Sequence, residues 1–134
     1  MQSLFEFKTK IPIDFDVYES MRKTSSELLH GTEDGQYTQA IVLFSATGNE
    51  YSTIVKNALS EEKAAERALL EALREAEDTA IRYVLCMWQD GCIDIPSFTF
   101  RDMLCKQDPL NSDAIVFVMT AHGVSGIKMS ETMK

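Results

Sequence analysis

Two short segments of the chain carry side chains of the kinds that catalysis uses. In the first, Ala64-Ala65-Glu66-Arg67-Ala68, a carboxylate stands near the head of a helix-forming stretch. In the second, Pro96-Ser97-Phe98-Thr99-Phe100-Arg101-Asp102-Met103-Leu104, a serine and an arginine open another helix. A glutamate so placed suits general acid or base work, and it equally suits a surface charge near the positive end of a helix dipole. Ser97 reads better as an N-cap than as a nucleophile, because no histidine stands near it in sequence. Arg101 suits an anion, or an ion pair with a carboxylate such as Glu66 or an acid of a neighbouring subunit. Cys86, Cys92, Cys105, His30 and His122 fall into no C-x-x-C or H-x-x-x-H spacing, so they predict no metal site. Cys86 and Cys105 are expected as buried thiols. Met87 and Trp88 suit a pocket, an interface or the edge of the core.

The elements that position these residues follow from hydrophobic period and breakers. A helix is predicted over Phe15–Leu29, with Phe15, Tyr18, Met21 and Leu28 near helical spacing behind Pro12. His30-Gly31 and the GTEDG stretch end it. Tyr37–Ala46 and Tyr51–Lys56 read as strands joined by a turn at Thr47–Glu50, which makes a hairpin. Ser60 is expected to cap a helix that runs to about Asp78 and packs a small-residue face of Ala65, Ala68, Ala72 and Ala76. Ile81–Trp88 is an apolar run of buried-strand type, and Gln89-Asp90-Gly91 is a turn. Ile95-Pro96 leads into a helix from Ser97 to about Lys106, closed by Asp108-Pro109. Ala114–Thr120 and Gly123–Met129 are further strands. The order α, β, β, α, β, α, β predicts a mixed sheet with helices against its faces and mostly parallel later strands.

In both segments the sequence resembles the zinc-dependent cytidine deaminase family. The family pattern C-A-E-R-x-A is similar to Ala64–Leu69, with the second alanine displaced by one. The pattern P-C-x-x-C-R-Q-x-L is similar to Pro96–Leu104, and Asn57-Ala58-Leu59 is similar to part of a ribose-binding N-V-E-N-A-S stretch. The order of elements matches as well. The resemblance implies a three-layer cytidine deaminase-like α/β fold, a mixed β-sheet with helices on both faces, as a single domain over residues 1–134. In that family one helix N-terminus supplies a His or Cys ligand and the acid/base glutamate, and a second supplies two cysteines. The helix dipoles favour thiolates, and zinc lowers the pKa of the attacking water.

Here Ala64, Ser97 and Phe100 stand at the vestigial metal-ligand positions. Alanine and phenylalanine have no donor atom, and a neutral serine hydroxyl is a poor zinc ligand. Phe100 also fills volume that a metal and its water need. Val55 and Lys56 stand where the family's ribose-binding glutamate is expected. Glu66 remains as a relic acid/base candidate, but a carboxylate alone does not activate water, whose pKa is about 15.7. The expectation is therefore no zinc and no other cofactor, with Asn57, Glu66 and Arg101 as pocket candidates.

Composition agrees with one self-sufficient domain. The 134 residues are 45% hydrophobic and 25% charged, enough to bury roughly two thirds of the unfolded surface without a metal or disulfide. The net charge of −8 argues against nucleic acid and anionic membrane as partners. No apolar run approaches the ~20 residues of a membrane span. The start, MQSLFEFKTK, is not of secretory type, and three cysteines fit a reducing cytoplasm. The resemblance implies a homo-oligomer, dimer or tetramer, with apolar residues around Phe98 and Trp88 at the interface. The expected function is that of a zinc-less, catalytically inactive cytidine deaminase-like protein that binds a small nucleoside-like ligand or serves as an interaction subunit. The alternative is a divergent hydrolase that uses Glu66 as acid/base on a nucleoside or amide-like substrate.

Overall fold

A computed structural model describes residues 11–32 and 37–134. The expectation for residues 1–10 and the last three residues of the GTEDG stretch (33–35) lie outside the described residues. The elements are α1 (Phe15–His30), β1 (Gln39–Ser45), β2 (Glu50–Val55), α2 (Ala64–Glu75), β3 (Ile81–Trp88), β4 (Ile93–Asp94), α3 (Phe98–Gln107), a 3-10 turn (Pro109–Asp113), β5 (Ile115–Thr120), β6 (Gly123–Lys128) and α4 (Met129–Thr132). The strands form one mixed sheet in the order β2-β1-β3-β5-β6, with β4 paired to β3.

Strand alternation builds two cores from one sheet. Ala40 and Val42 of β1, Tyr83, Leu85 and Met87 of β3, and Phe117 of β5 meet Tyr18, Met21 and Leu29 of α1. Phe117 stacks on Tyr83 with ring centroids 5.2 Å apart and takes Tyr18 edge-on at 5.1 Å. The intervening residues Ile41, Leu43, Val84, Cys86, Val116 and Val118 face the other way, against Leu69, Leu70 and Leu73 of α2 and Phe100 and Leu104 of α3. The three-layer architecture thus follows from period-two patterning of strands buried on both sides.

Several local expectations are corrected. β3 and β5 are parallel, but β5 and β6 form an antiparallel hairpin, so only one parallel pairing occurs among the later strands. The alanines do not form the packed face of α2: Ala68, Ala72 and Ala76 are exposed, while Glu66, Leu69, Leu70 and Leu73 are buried. Leucines remove more apolar surface from water, so their stripe wins the core. The start of α2 also moves. Ser60 Oγ accepts from the amide of Glu62 and caps a turn, and the helix begins only at Ala64. It ends at Glu75, because Glu77 adopts a left-handed φ of 54° and Asp78 turns inward. In α1, Asp14 is the N-cap, accepting from the amides of Asp16 and Val17, and Phe15 points to solvent. The last strand stops at Lys128, where α4 begins.

Candidate functional site

The first turn of α2 and the loop before it build the site. Asn57 takes a left-handed φ of 56°, a conformation asparagine tolerates better than most residues, and turns the chain after β2. The Ala58 amide then donates to the carbonyl of Tyr37 at 2.7 Å, which pins the loop beside β1. Lys63 ends the loop with its side chain folded inward and only 8% exposed. Its Nζ donates to the Ala58 carbonyl at 3.2 Å and lies 3.7 Å from Glu66 Oε2. The Glu66 side chain is 4% exposed, and its other oxygen, Oε1, has no hydrogen-bond partner among the described residues. Glu66 lines a cavity of about 570 Å³ together with Ala64, Ala65, Asn57, Lys56 and Ile54. Of the two readings of Glu66, the solvated helix-surface charge is excluded by this burial.

The second segment lies on the same side of the sheet. Ser97 is the N-cap of α3, and its Oγ accepts from the Phe100 amide at 3.2 Å. The Phe100 ring is fully buried in the core shared with Leu69, Leu73, Cys86 and Leu104. Burial, reinforced by the nearby carboxylates of Asp94 and Glu66, pushes the Cys86 thiol far above its ordinary value, so Cys86 is an inert core group.

The structure separates Arg101 from the other pocket candidates. Asn57 and Glu66 line the cavity, and Arg101 does not. The expected ion pair is replaced by backbone contacts. Arg101 donates from Nε to the Pro96 carbonyl at 2.9 Å and from Nη1 to the Thr132 carbonyl at 2.7 Å, with its guanidinium over the Phe98 ring. The Thr132 carbonyl, at the C-terminal end of α4, carries partial negative charge, and with the Pro96 carbonyl ahead of α3 it satisfies the guanidinium without a carboxylate. Burial lowers its pKa, partly opposed by the field of Asp94. Cys105, expected as buried, is half-buried. Trp88 is also half-buried and donates its indole N–H to Asp94 at 3.0 Å, whereas Phe98 is exposed. Met87 borders a smaller hollow with Leu29, His30 and Gln89 on the α1 side.

Sequence reasoning missed Lys63. Its signal was available: a lysine three residues before a glutamate, where both side chains fall on one helical face. The packing role had been assigned to the opposite face, that of the alanines.

The donor chemistry decides which metals these positions suit. Ala64 presents a methyl group, Phe100 a buried ring, and Ser97 a hydroxyl already accepting from an amide. Zinc sites need thiolate, imidazole or carboxylate donors, and this trio does not fit one. Among the described residues, no three His, Cys, Asp or Glu side chains gather in a group able to hold a metal ion.

No family model and no curated protein matches the chain by sequence. Solved structures match it by fold. The crystal structure of cytidine deaminase from Mycobacterium leprae superposes with a TM-score of 0.63 at 15% identity, covering 87% of this chain and 96% of that one. Cytidine deaminase from Mycobacterium tuberculosis gives 0.62 at 11% identity over 90% of this chain and 94% of that one. A point mutant of the same enzyme gives 0.65 at 14% identity, over 90% and 92%. At such identities the likeness is one of fold.

Proposed function

We propose that this chain, built on the cytidine deaminase-like fold, is a zinc-free protein that binds a small molecule and does not deaminate it. The observation that supports this reading is Glu66, a buried carboxylate that lines an open cavity and whose Oε1 has no donor among the described residues. Buried polar atoms are nearly always paired, so a vacant one in a cavity marks where a ligand donates. The donor-poor trio Ala64, Ser97 and Phe100 supports the absence of zinc, and with it the absence of an activated water. By the same fold likeness we propose a homo-oligomer, and by its three free cysteines a reducing, cytoplasmic setting. No helix among the described residues is long and apolar enough to cross a membrane.

The test is a thermal-shift screen of the purified protein with nucleosides and bases, run beside metal analysis and an ammonia-release assay with cytidine. A ligand of the folded state raises the apparent Tm by mass action. The expected result is a ligand-dependent rise with neither zinc nor ammonia. Stoichiometric zinc with ammonia release overturns the proposal. Ammonia release without metal, lost in Glu66→Gln, supports the hydrolase alternative.

A further inference from the structure

The open edge of the sheet bears on how copies of the chain meet, an inference that rests on the homo-oligomeric reading above. β2 is the outermost strand on one side, and among the described residues no strand lies beyond it. The opposite edge, β6, is bridged by Ile11, whose amide donates to the Gly126 carbonyl at 3.1 Å. The register shows which groups of β2 are free. Beside the hairpin turn the Ser45 amide donates to the Asn49 carbonyl at 2.9 Å. By alternation Tyr51, Thr53 and Val55 then turn their N–H and C=O groups to Leu43, Ile41 and Gln39. The backbone groups of Glu50, Ser52 and Ile54 point away from the sheet, with no partner strand among the described residues.

Sheet edges that stay single are blunted by a proline, a lysine, a bulge or an inward charge. The stretch Tyr51-Ser52-Thr53-Ile54-Val55 has none of these. It is uncharged and rich in β-branched residues, and its pairing with β1 runs without a register shift. Charges stand only at its two ends, Glu50 before it and Lys56 after it. An antiparallel copy of the same strand, related by a two-fold axis at Thr53, sets Ser52 opposite the partner's Ile54 and Glu50 opposite the partner's Lys56. The outward backbone groups then exchange N–H···O=C bonds, and opposite charges meet at both ends. Two-fold registers centred on Ser52 or Ile54 lose both charge pairs. Charge complementarity therefore favours a second copy of this chain, in one register.

We infer that two copies of this chain pair antiparallel through the open edges of β2, with Thr53 facing Thr53 on the two-fold axis. The contact lies at the sheet edge and not around Phe98 and Trp88. Because Lys56 lines the cavity, the pairing also places the partner's Glu50 at the cavity rim. Sedimentation of the full chain over a dilution series reads the dimer, and introduced cysteines read the register. At the axis the two Thr53 residues form a non-hydrogen-bonded pair with Cα atoms about 4.5 Å apart, within disulfide reach. The two Ser52 residues lie beyond the limit of about 7 Å. Under mild oxidation Thr53→Cys is expected to give a covalent dimer that Ser52→Cys and the wild-type chain do not. Ser52→Pro removes an outward N–H and no bond to β1, and it is expected to weaken the dimer at least about tenfold. If that variant does not fold, Glu50→Lys and Lys56→Glu are each expected to weaken the dimer, and the double variant to restore it. Linkage through Ser52→Cys as ready as through Thr53→Cys overturns the register. A dimer that survives these substitutions and is not linked through Thr53→Cys overturns the edge contact and leaves the oligomeric reading intact. A chain that is monomeric at every concentration overturns both.

Discussion

Lys63 Nζ and Glu66 Oε2 lie 3.7 Å apart, about one helical turn from each other, with both side chains shut away from solvent. Removing one member of a buried pair strands the other charge, which costs about 3–5 kcal/mol, whereas replacing both with apolar groups is often neutral. Urea unfolding of Lys63→Met is expected to show a loss in that range. The double variant Lys63→Met/Glu66→Leu is expected to recover most of it. A double variant no more stable than the single one would show that the pair is not coupled.

Phe100→Ala is expected to cost about 3–5 kcal/mol, the range for deleting a fully buried aromatic side chain. Phe100→Leu, which retains most of the apolar volume, is expected to cost well under half of that. Chemical denaturation of the two variants separates packing at this position from any need for the aromatic ring itself.

Asp78 gives the fold a defined acid limb. Burial alone would raise its pKa, but Oδ2 accepts from Thr47 Oγ1 at 2.8 Å, Tyr51 OH at 2.9 Å and Asn49 Nδ2 at 3.2 Å, and these bonds hold it below its ordinary 3.8. A carboxyl depressed in the folded state contributes stability that is complete above the unfolded value. That stability is lost as the pH falls through the folded one. Asp78→Asn is expected to flatten this part of the stability–pH curve and to cost about 1.5–3 kcal/mol near neutrality, the worth of a hydrogen bond to a charged group. An unchanged acid slope in the variant would assign the dependence to other carboxylates.

The sheet was legible because β1, β3 and β5 alternate between two packed faces, leaving apolar runs of strand length with turn residues between them. The two helices that carry the site were legible as helices, and Ser97 as a cap. The boundaries of α2 were not. Ser60 has the right side chain for an N-cap, but burial of Ala58 and Lys63 draws the following residues into a loop first. Tertiary burial overrode a local signal there. Arg101 was misread for a related reason. Its partner is a backbone carbonyl at Thr132, and no side-chain pattern announces a carbonyl.

Asn111 was invisible for the same reason, and it is fully buried. Its Oδ1 accepts from the Ile81 amide at 2.7 Å, and its Nδ2 donates to the carbonyls of Thr79 and Leu104 at 2.9 and 3.0 Å. Asn111→Leu takes the partner from the Ile81 amide and the Thr79 carbonyl, each worth about 1–3 kcal/mol, while the Leu104 carbonyl keeps the Asp108 amide at 3.3 Å. The variant is expected to be among the most destabilising single changes in the chain, as a Tm measurement would show. A loss below 1 kcal/mol, about one unpaired group, would mean that water replaces the amide.

Arg101→Ala frees the Thr132 carbonyl and unties α4 from α3. Amide exchange over residues 129–133 is expected to quicken about fivefold to tenfold, with little change in α2. Arg101→Lys is not expected to restore protection, since an ammonium lacks the fork that reaches Pro96 and Thr132 together.

The sheet is a partition wall as well as a scaffold. On one side, Tyr18, Tyr83 and Phe117 form an aromatic stack, and none of the three lines the cavity. On the other side lie α2, Lys63 and Glu66. Repacking the aromatic compartment can therefore raise or lower the melting point of the chain while leaving Lys63 and Glu66 in place. The aromatic face thus offers positions where packing can be changed without altering a residue of the cavity wall.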